Sequence, residues 1–247
     1  MKILATYSIK GGVGKTTSAV NLAREAALSG ARVLVWDLDP QGAATFFFRL
    51  KAKVKGGSER LVGSKGDLSE HVRASDTPGL HVLPADFSLR HLDLHLEGTK
   101  RPTERLAARL ADIRDRYDVA ILDCPPSISL ASESVFGAAD ALLVPVIPTT
   151  LSSRTLQQLS HFLDGRPSAP ALFPFFSMVD GRKRLHREVM VALRSDWPAI
   201  LDTPVPNASI IERMGPERAA VAVYAPTSLA AQAFHRLWEE IAGRIWV

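Results

Sequence analysis

The chain is poor in the features that would place it outside the cell or in a membrane. Its 247 residues include one cysteine, Cys124, so no disulfide can form within the chain and the fold does not depend on an oxidising compartment. It has no long hydrophobic run. The start, Met1 to Ser8, is too short an apolar stretch for a signal peptide. The longest apolar region, Val135–Ile147, is broken by Gly137, Asp140 and Pro145, which excludes a membrane-spanning helix. Charge of one sign is not abundant either. Thirty Lys and Arg against 26 Asp and Glu leave +4, a mild basic bias compatible with nucleic acid or an acidic membrane surface and diagnostic of neither. There is no internal repeat and no linker long enough to divide the chain, so residues 1–247 are expected to form one cytoplasmic domain. With 46% hydrophobic and 23% charged residues, wholesale disorder is excluded.

What is present alternates between short apolar runs and helical patterns, the signature of an α/β fold with a mostly parallel twisted sheet and helices on both faces. Strands are expected at Ile3–Tyr7, Arg32–Trp36, Leu80–Leu83, Val119–Leu122, Ala141–Ile147 and Phe173–Met178. Val33–Trp36, Val119–Leu122 and Leu142–Ile147 read as almost continuously apolar, as strands buried on both faces do. Helices are expected at Thr16–Ser29, Pro102–Arg116, Ser152–Leu163, Leu185–Arg194 and Ser228–Ile241. The stretch Lys51–Gly66 carries Lys51, Lys53, Lys55, Arg60 and Lys65 against one acid, with four glycines, and reads as a mobile surface loop.

The first strand runs into Lys10-Gly11-Gly12-Val13-Gly14-Lys15-Thr16-Thr17. Gly11, Gly12 and Gly14 allow a tight turn in which successive N–H groups point at phosphate oxygens. The following helix adds its positive N-terminal end. Lys15 is placed to reach the β- and γ-phosphates of a nucleotide, and the Thr16 hydroxyl to ligate Mg2+. A dinucleotide fingerprint is excluded, because Gly12-x-Gly14 is followed by Thr17 where a third glycine is needed. The loop also departs from the ordinary phosphate-loop pattern: Ile9 stands five positions before Gly14, and an extra lysine, Lys10, opens it.

On these residues the sequence resembles the deviant Walker-A ATPases, the ParA/MinD group of P-loop NTPases. The resemblance implies that Lys10 reaches in trans to the phosphates held by a partner in an ATP-sandwich homodimer. The second strand ends in Asp37-Leu38-Asp39-Pro40-Gln41-Gly42, a string typical of ParA-type members. In the family the second aspartate positions the attacking water, so Asp39 joins Lys10 and Lys15 as a catalytic candidate; the role of Asp37 stays open. The strand Val119–Leu122 delivers Asp123 before Cys124-Pro125-Pro126, a Walker-B pattern with Asp123 acting on Mg2+. The lone Cys124 argues against the nitrogenase iron protein, a relative that needs two cysteines per subunit for its cluster.

ATP is expected as the nucleotide. No Asn-Lys-x-Asp guanine-reading string is present; Met178 stands at that location, and Pro204-Val205-Pro206 resembles the family's adenine-lining segment. The resemblance further implies slow hydrolysis that switches non-specific DNA binding and is stimulated by a ParB-like or cargo-linked protein, in a nucleoid-associated partitioning role. Arg182, Lys183, Arg184 and Arg187 are the DNA-binding candidates, at the start of a helix whose Leu185, Val189 and Leu193 would face the core. Arg213 and Arg218 are weaker candidates for the same surface. No helix-turn-helix precedes the phosphate loop, so operator binding is not expected. The rival is a MinD-like membrane-associated ATPase, which would need a free amphipathic C-terminal helix. Glu239 and Glu240 interrupt the apolar face there, so a core-packed helix is expected, with Trp246 the residue in question.

Overall fold

A computed structural model describes residues 1–63, 66–166 and 169–246. Among these residues seven strands form one sheet: β1 (Lys2–Thr6), β2 (Val33–Asp37), β3 (Arg73–Ala74), β4 (Leu80–Leu83), β5 (Val119–Asp123), β6 (Ala141–Val146) and β7 (Ala171–Phe176). Their order is β3-β4-β2-β5-β1-β6-β7, parallel throughout except for the short edge strand β3. The expected strands are present within two residues at each end; β3, two exposed residues long, has no periodicity to read.

Side-chain alternation along the central strands divides the core between two faces. Leu4, Val33, Val35, Val119 and Ile121 face α1 (Lys15–Leu28) and the C-terminal helix, which runs Leu229–Ile245. Ala5, Leu34, Trp36, Ala120 and Leu122 face the opposite layer, which includes the helix Ser152–Leu163 with Leu156, Leu159 and Leu163 turned inward. All five residues of both β2 and β5 are buried, and each large apolar side chain so buried contributes roughly 1.5–3 kcal/mol.

Several elements between the strands differ from expectation. The region expected as one helix over Pro102–Arg116 is a 3-10 turn at Pro102–Glu104, a short helix Arg105–Ala111 and a second 3-10 turn at Arg114–Arg116. The last helical turn tightens because Ile113 is drawn into the core, its N–H donating to Leu110 O at 3.2 Å. A helix at Leu130–Ala138 follows Pro125-Pro126, entered through a capping box in which Ser132 takes the place usually held by Glu or Gln.

The stretch expected as a mobile loop is anchored. After a short helix at Ala43–Phe47, Val54 is buried and its N–H donates to Asp86 Oδ2 at 2.8 Å. Gly57–Val62 is then helical, with Ser58, Leu61 and Val62 buried and Ser58 Oγ donating to Ser88 O. Lys65 lies outside the described residues.

The C-terminal helix is capped by Ser228, whose Oγ accepts from Ala231 N, and it packs on the core as expected. Glu240 accepts hydrogen bonds from Asp202 N and Thr203 N, which explains an acid at this position. Trp238 is buried, and Trp246 is half-exposed with its ring edge-on to Trp238, centroids 5.9 Å apart. No helix among the described residues is long and apolar enough to cross a membrane.

Candidate active site

The parallel register brings the polar strand ends together. Asp123 pairs in register with Thr6 on one side and with Asp37 on the other, all three at the C-terminal edge and fully buried. Parallel sheets bind ligands at this edge. Between β1 and α1 the chain turns through Gly12 at φ 70° and Gly14 at φ 94°, conformations that favour glycine. Gly14 has a second reason to lack a side chain, since a Cβ there would lie 2.9 Å from Ser177 Oγ. Being the residue that caps α1, Gly14 also offers no side-chain acceptor to the first N–H groups of the helix. A helix N-terminus left in this condition is a ready anion site.

Lys15 is buried at that terminus, and among the described residues its Nζ reaches only one acceptor, Lys10 O, at 3.5 Å. Burial pushes its ammonium below the ordinary lysine value, while Asp123, Cys124 and Asp39 act in the opposite direction. Lys10, Gly11 and Gly12 are exposed, Val13 is buried, and Thr16 and Thr17 are half-buried. Lys10 therefore stands exposed at the rim of the loop, whereas Lys15 is buried.

Two carboxylates beside the loop behave differently from a third. Asp37 is locked: its Oδ2 accepts from Thr45 N and Thr45 Oγ1, both at 2.7 Å, and its Oδ1 accepts from Asp39 N. Thr45 Oγ1 in turn accepts from Ala85 N, so Asp37 fixes the loop and the helix after it. This assigns Asp37 a structural place that its strand-end position left open. Asp123 accepts from Thr6 Oγ1 at 3.2 Å through Oδ1, while its buried Oδ2 has no hydrogen-bond partner among the described residues. Burial, then repulsion from Asp37, raises the Asp123 carboxyl to about 8, with the Thr16 and Thr6 hydroxyls opposing. Asp39 is half-buried on the loop, its Oδ1 capping Gln41 N at 2.9 Å.

An orphaned carboxylate oxygen of this kind suits a hard divalent cation. Asp123 Oδ2 and the Thr16 hydroxyl are oxygen donors from adjacent elements, the donor type Mg2+ prefers. No cluster of three His, Cys, Asp or Glu occurs among the described residues, so the remaining coordination would come from water and phosphate, as is usual for Mg2+.

A cleft of about 240 Å³ opens from Gly12, Gly14 and Thr17 to Met178 and Pro206. Two of the three expected base-side residues line it. Pro204 does not: Val205 N donates to Phe176 O and Val179 N donates to Val205 O, which seats Val205 and Pro206 against the cleft and leaves Pro204 exposed one step back. Asn207, Ile211 and Glu212 complete the wall and carry no motif that would have singled them out. Asn21 joins the two sides, donating to Thr17 O at 2.8 Å and accepting from Val221 N at 2.8 Å.

Comparison with known proteins agrees with this geometry. A family model described as an AAA domain matches residues 1–166. The chromosome-partitioning ATPase Soj of Thermus thermophilus is 34% identical, covering 98% of this chain and 96% of that protein. The chain belongs to the ParA-type P-loop ATPases. Among solved structures, the Mycobacterium smegmatis cobyrinic acid a,c-diamide synthase with bound ADP and magnesium has a TM-score of 0.84 at 25% identity, covering 100% of this chain and 95% of that one. An ATP complex of McdA from Cyanothece has a TM-score of 0.83 at 23% identity, covering 98% and 96%, a likeness of fold.

In this ParA-type ATPase the basic cluster after β7 opens the helix Arg184–Asp196. Arg182 is paired with Asp180, Nε to Oδ1 at 3.0 Å, Arg184 with Glu188 at 2.6 Å, and Arg187 donates to Gly181 O at 2.6 Å. Lys183 and Arg187 have no ion-pair partner among the described residues. The stripe expected from Leu185 is corrected: Leu185 is half-exposed, and His186 takes the buried position because its Nδ1 accepts from Asp180 N. Arg213 and Arg218 lie apart in sequence from this cluster; Arg213 pairs with Glu217, and Arg218 Nε donates to Phe46 O at 3.1 Å. They flank Met214, which packs on the α1 face, whereas Leu193 packs on the other.

Proposed function

We propose that this ParA-type ATPase binds ATP with Mg2+, forms an ATP-sandwich homodimer, and in that state binds DNA without sequence preference to segregate or position a cargo. The observation that carries the nucleotide part is the grouping, at the start of α1, of an uncapped helix terminus, buried Lys15 and the neighbouring Asp123, whose Oδ2 has no partner among the described residues. Lys15 and the N–H groups of Gly11 to Thr17 hold the phosphates, and Thr16 and Asp123 hold the metal. Mg2+, when bound, neutralises charge on the phosphate oxygens. Asp39 orients the water, Lys10 reaches the partner's nucleotide, and Met178 and Pro206 flank the base. This division of labour suits phosphoryl transfer, in which positioning and charge neutralisation dominate.

The names of the relatives support the cellular part of the reading. The Thermus protein is called a chromosome-partitioning ATPase, and a Caulobacter vibrioides relative, 29% identical over 99% of this chain, a chromosome partitioning protein. The 182–187 cluster is the first DNA candidate, the stimulating partner a ParB-like or cargo-linked protein, and the location the nucleoid. Residues 1–247 act as one unit. The test is binding of Asp39→Ala to mixed-sequence duplex DNA with ATP and with ADP across a salt series. ATP-dependent binding with a steep salt slope is expected; absence of binding in both states would overturn the DNA part.

A further inference from the structure

A second basic segment has more cations free of ion pairs, among the described residues, than the one the sequence pattern favours. Between the helices Ala43–Phe47 and Gly57–Val62 the chain reads Arg49-Leu50-Lys51-Ala52-Lys53-Val54-Lys55. All four cations are exposed, while Leu50 packs into the core on the α1 face and Val54 is buried in the core on the other. The segment thus crosses the C-terminal edge of the sheet with Leu50 and Val54 turned in. Arg49 is tied to Asp76 at 3.4 Å and to Glu217 O, but Lys51, Lys53 and Lys55 make no ion pair among the described residues. In the 182–187 cluster, by contrast, two of four cations are neutralised by acids.

The segment sits against the Asp37–Gly42 loop through Ala52. Gly42, at φ 66°, closes the Asp37–Gly42 loop, and a Cβ on it would lie 3.1 Å from Ala52 Cβ and 3.5 Å from Ala85 Cβ. Ala52 therefore rests on the backbone two residues beyond Pro40, flanked by Lys51 and Lys53. Leu50 N also donates to Thr45 O, and Thr45 is the residue that holds Asp37. A shift of the Asp39 loop must displace Ala52 and reorient its neighbours.

We infer that Lys51, Lys53 and Lys55 form a phosphate-backbone contact for duplex DNA that is mechanically joined to the loop carrying Asp39. The inference rests on the DNA-binding reading above and names the surface and the linkage that make it nucleotide-dependent. Duplex DNA is favoured over an anionic membrane because the segment is non-helical and its inward residues are taken by the core, so no apolar helix face is left to enter lipid. Neutralising phosphates with free lysines gives sequence-blind, salt-sensitive affinity.

The experiment is fluorescence anisotropy with a labelled mixed-sequence duplex and the full chain carrying Asp39→Ala, with ATP. Replacing Lys51, Lys53 and Lys55 together by Gln is expected to weaken binding at least about 10-fold at ~0.1 M salt. Loss of three contacts should also shrink the affinity drop between 50 and 200 mM salt by about 40-fold, from a slope change near 2.7. The matching triple Lys→Arg variant, which keeps the charge, is expected to bind like its parent; if it too fails, lost charge is not the cause and the inference falls. A parent that binds DNA and a Gln variant with unchanged affinity and slope would overturn the inference and leave the DNA reading standing. A parent that does not bind at all would remove both. Phosphatidylserine vesicle binding that the Gln variant loses, with DNA binding intact, would assign the segment to a membrane instead. For the linkage, Ala52→Gly is expected to bring the ATP-to-ADP affinity ratio toward one, and an unchanged ratio would sink that half.

Discussion

The two ends of the nucleotide cleft are built in different ways. The phosphate end is a single continuous piece, Lys10 to Thr17, seated on the start of a 14-residue helix and faced by two buried carboxylates fixed by strand register. The base end is assembled from three separate pieces: Met178 after β7, Val205 to Ala208, and Ile211 with Glu212. The first is held by hydrogen bonds inherent to a helix and a sheet; the second depends on a few loop bonds such as Val179 N to Val205 O. The phosphate end should therefore tolerate little and the base end more.

The largest break is expected at Lys15. It is a buried cation with no acid paired to it among the described residues, so its partner is expected to come with the ligand. Removing one member of a buried charge pair costs about 3 kcal/mol or more, so Lys15→Ala should weaken ATP binding at least ~100-fold by titration calorimetry. Lys10→Ala, at the exposed rim, should keep near-normal affinity and lose the ATP-dependent dimer. Light scattering that still showed dimer would end its assignment in trans.

Asp123 sharpens the contrast through pH. Its carboxyl is raised in the folded protein from an ordinary value of 3.8 to about 8, chiefly by burial. The unfolded chain ionises first as pH rises, so this group's contribution is full below about 4 and is lost progressively toward pH 8. Metal-free protein should accordingly melt lower at pH 8 than at pH 5. Asp123→Asn should flatten part of that fall, Asp37 keeping the same sign, and should abolish the Mg2+ dependence of ATP binding. Parallel melting curves for variant and parent would refute the assignment.

Gly14 is where the two ends touch. Gly14→Ala carries both the φ 94° penalty and the approach to Ser177 Oγ. A left-handed backbone alone costs about 1–2 kcal/mol, so a loss near 10-fold in ATP affinity is expected. Adding Ser177→Gly should recover only part of it, because the backbone penalty remains. Full recovery would mean that the contact, and not the turn, decides the position.

This asymmetry also governs what could be read without coordinates. The phosphate loop, Asp39 and Asp123 lie in contiguous strings whose chemistry is local, and the parallel sheet that aligns them follows from apolar runs. The base wall was half legible: Met178 and Pro206 line the cleft, but Pro204 is turned out by a bond pattern that no dipeptide encodes. Asn21 bridging to Val221, and Ser177 filling the space above Gly14, join residues distant in sequence. The arginines at 182 and 184 were countable, but their availability was not, because Asp180 and Glu188 had to be seen in pairing geometry. The helix at Leu130–Ala138 escaped because Ser132, a weak signal, stands in its capping box.

Met178 gives the smallest effect and the one in which affinity and stability part company. It holds φ 55° without being glycine and is 37% exposed over the cleft. Met178→Gly should relieve about 1–2 kcal/mol of backbone strain, partly offset by about 0.5–1 kcal/mol of added chain entropy. The melting temperature should stay level or rise slightly. ATP and ADP should both bind about 2- to 4-fold more weakly, because one apolar wall is gone while the phosphates are untouched. A loss confined to ATP would place Met178 on the phosphate side of the division, and a marked fall in melting temperature would show that its side chain, half in water, supports the fold more than the ligand.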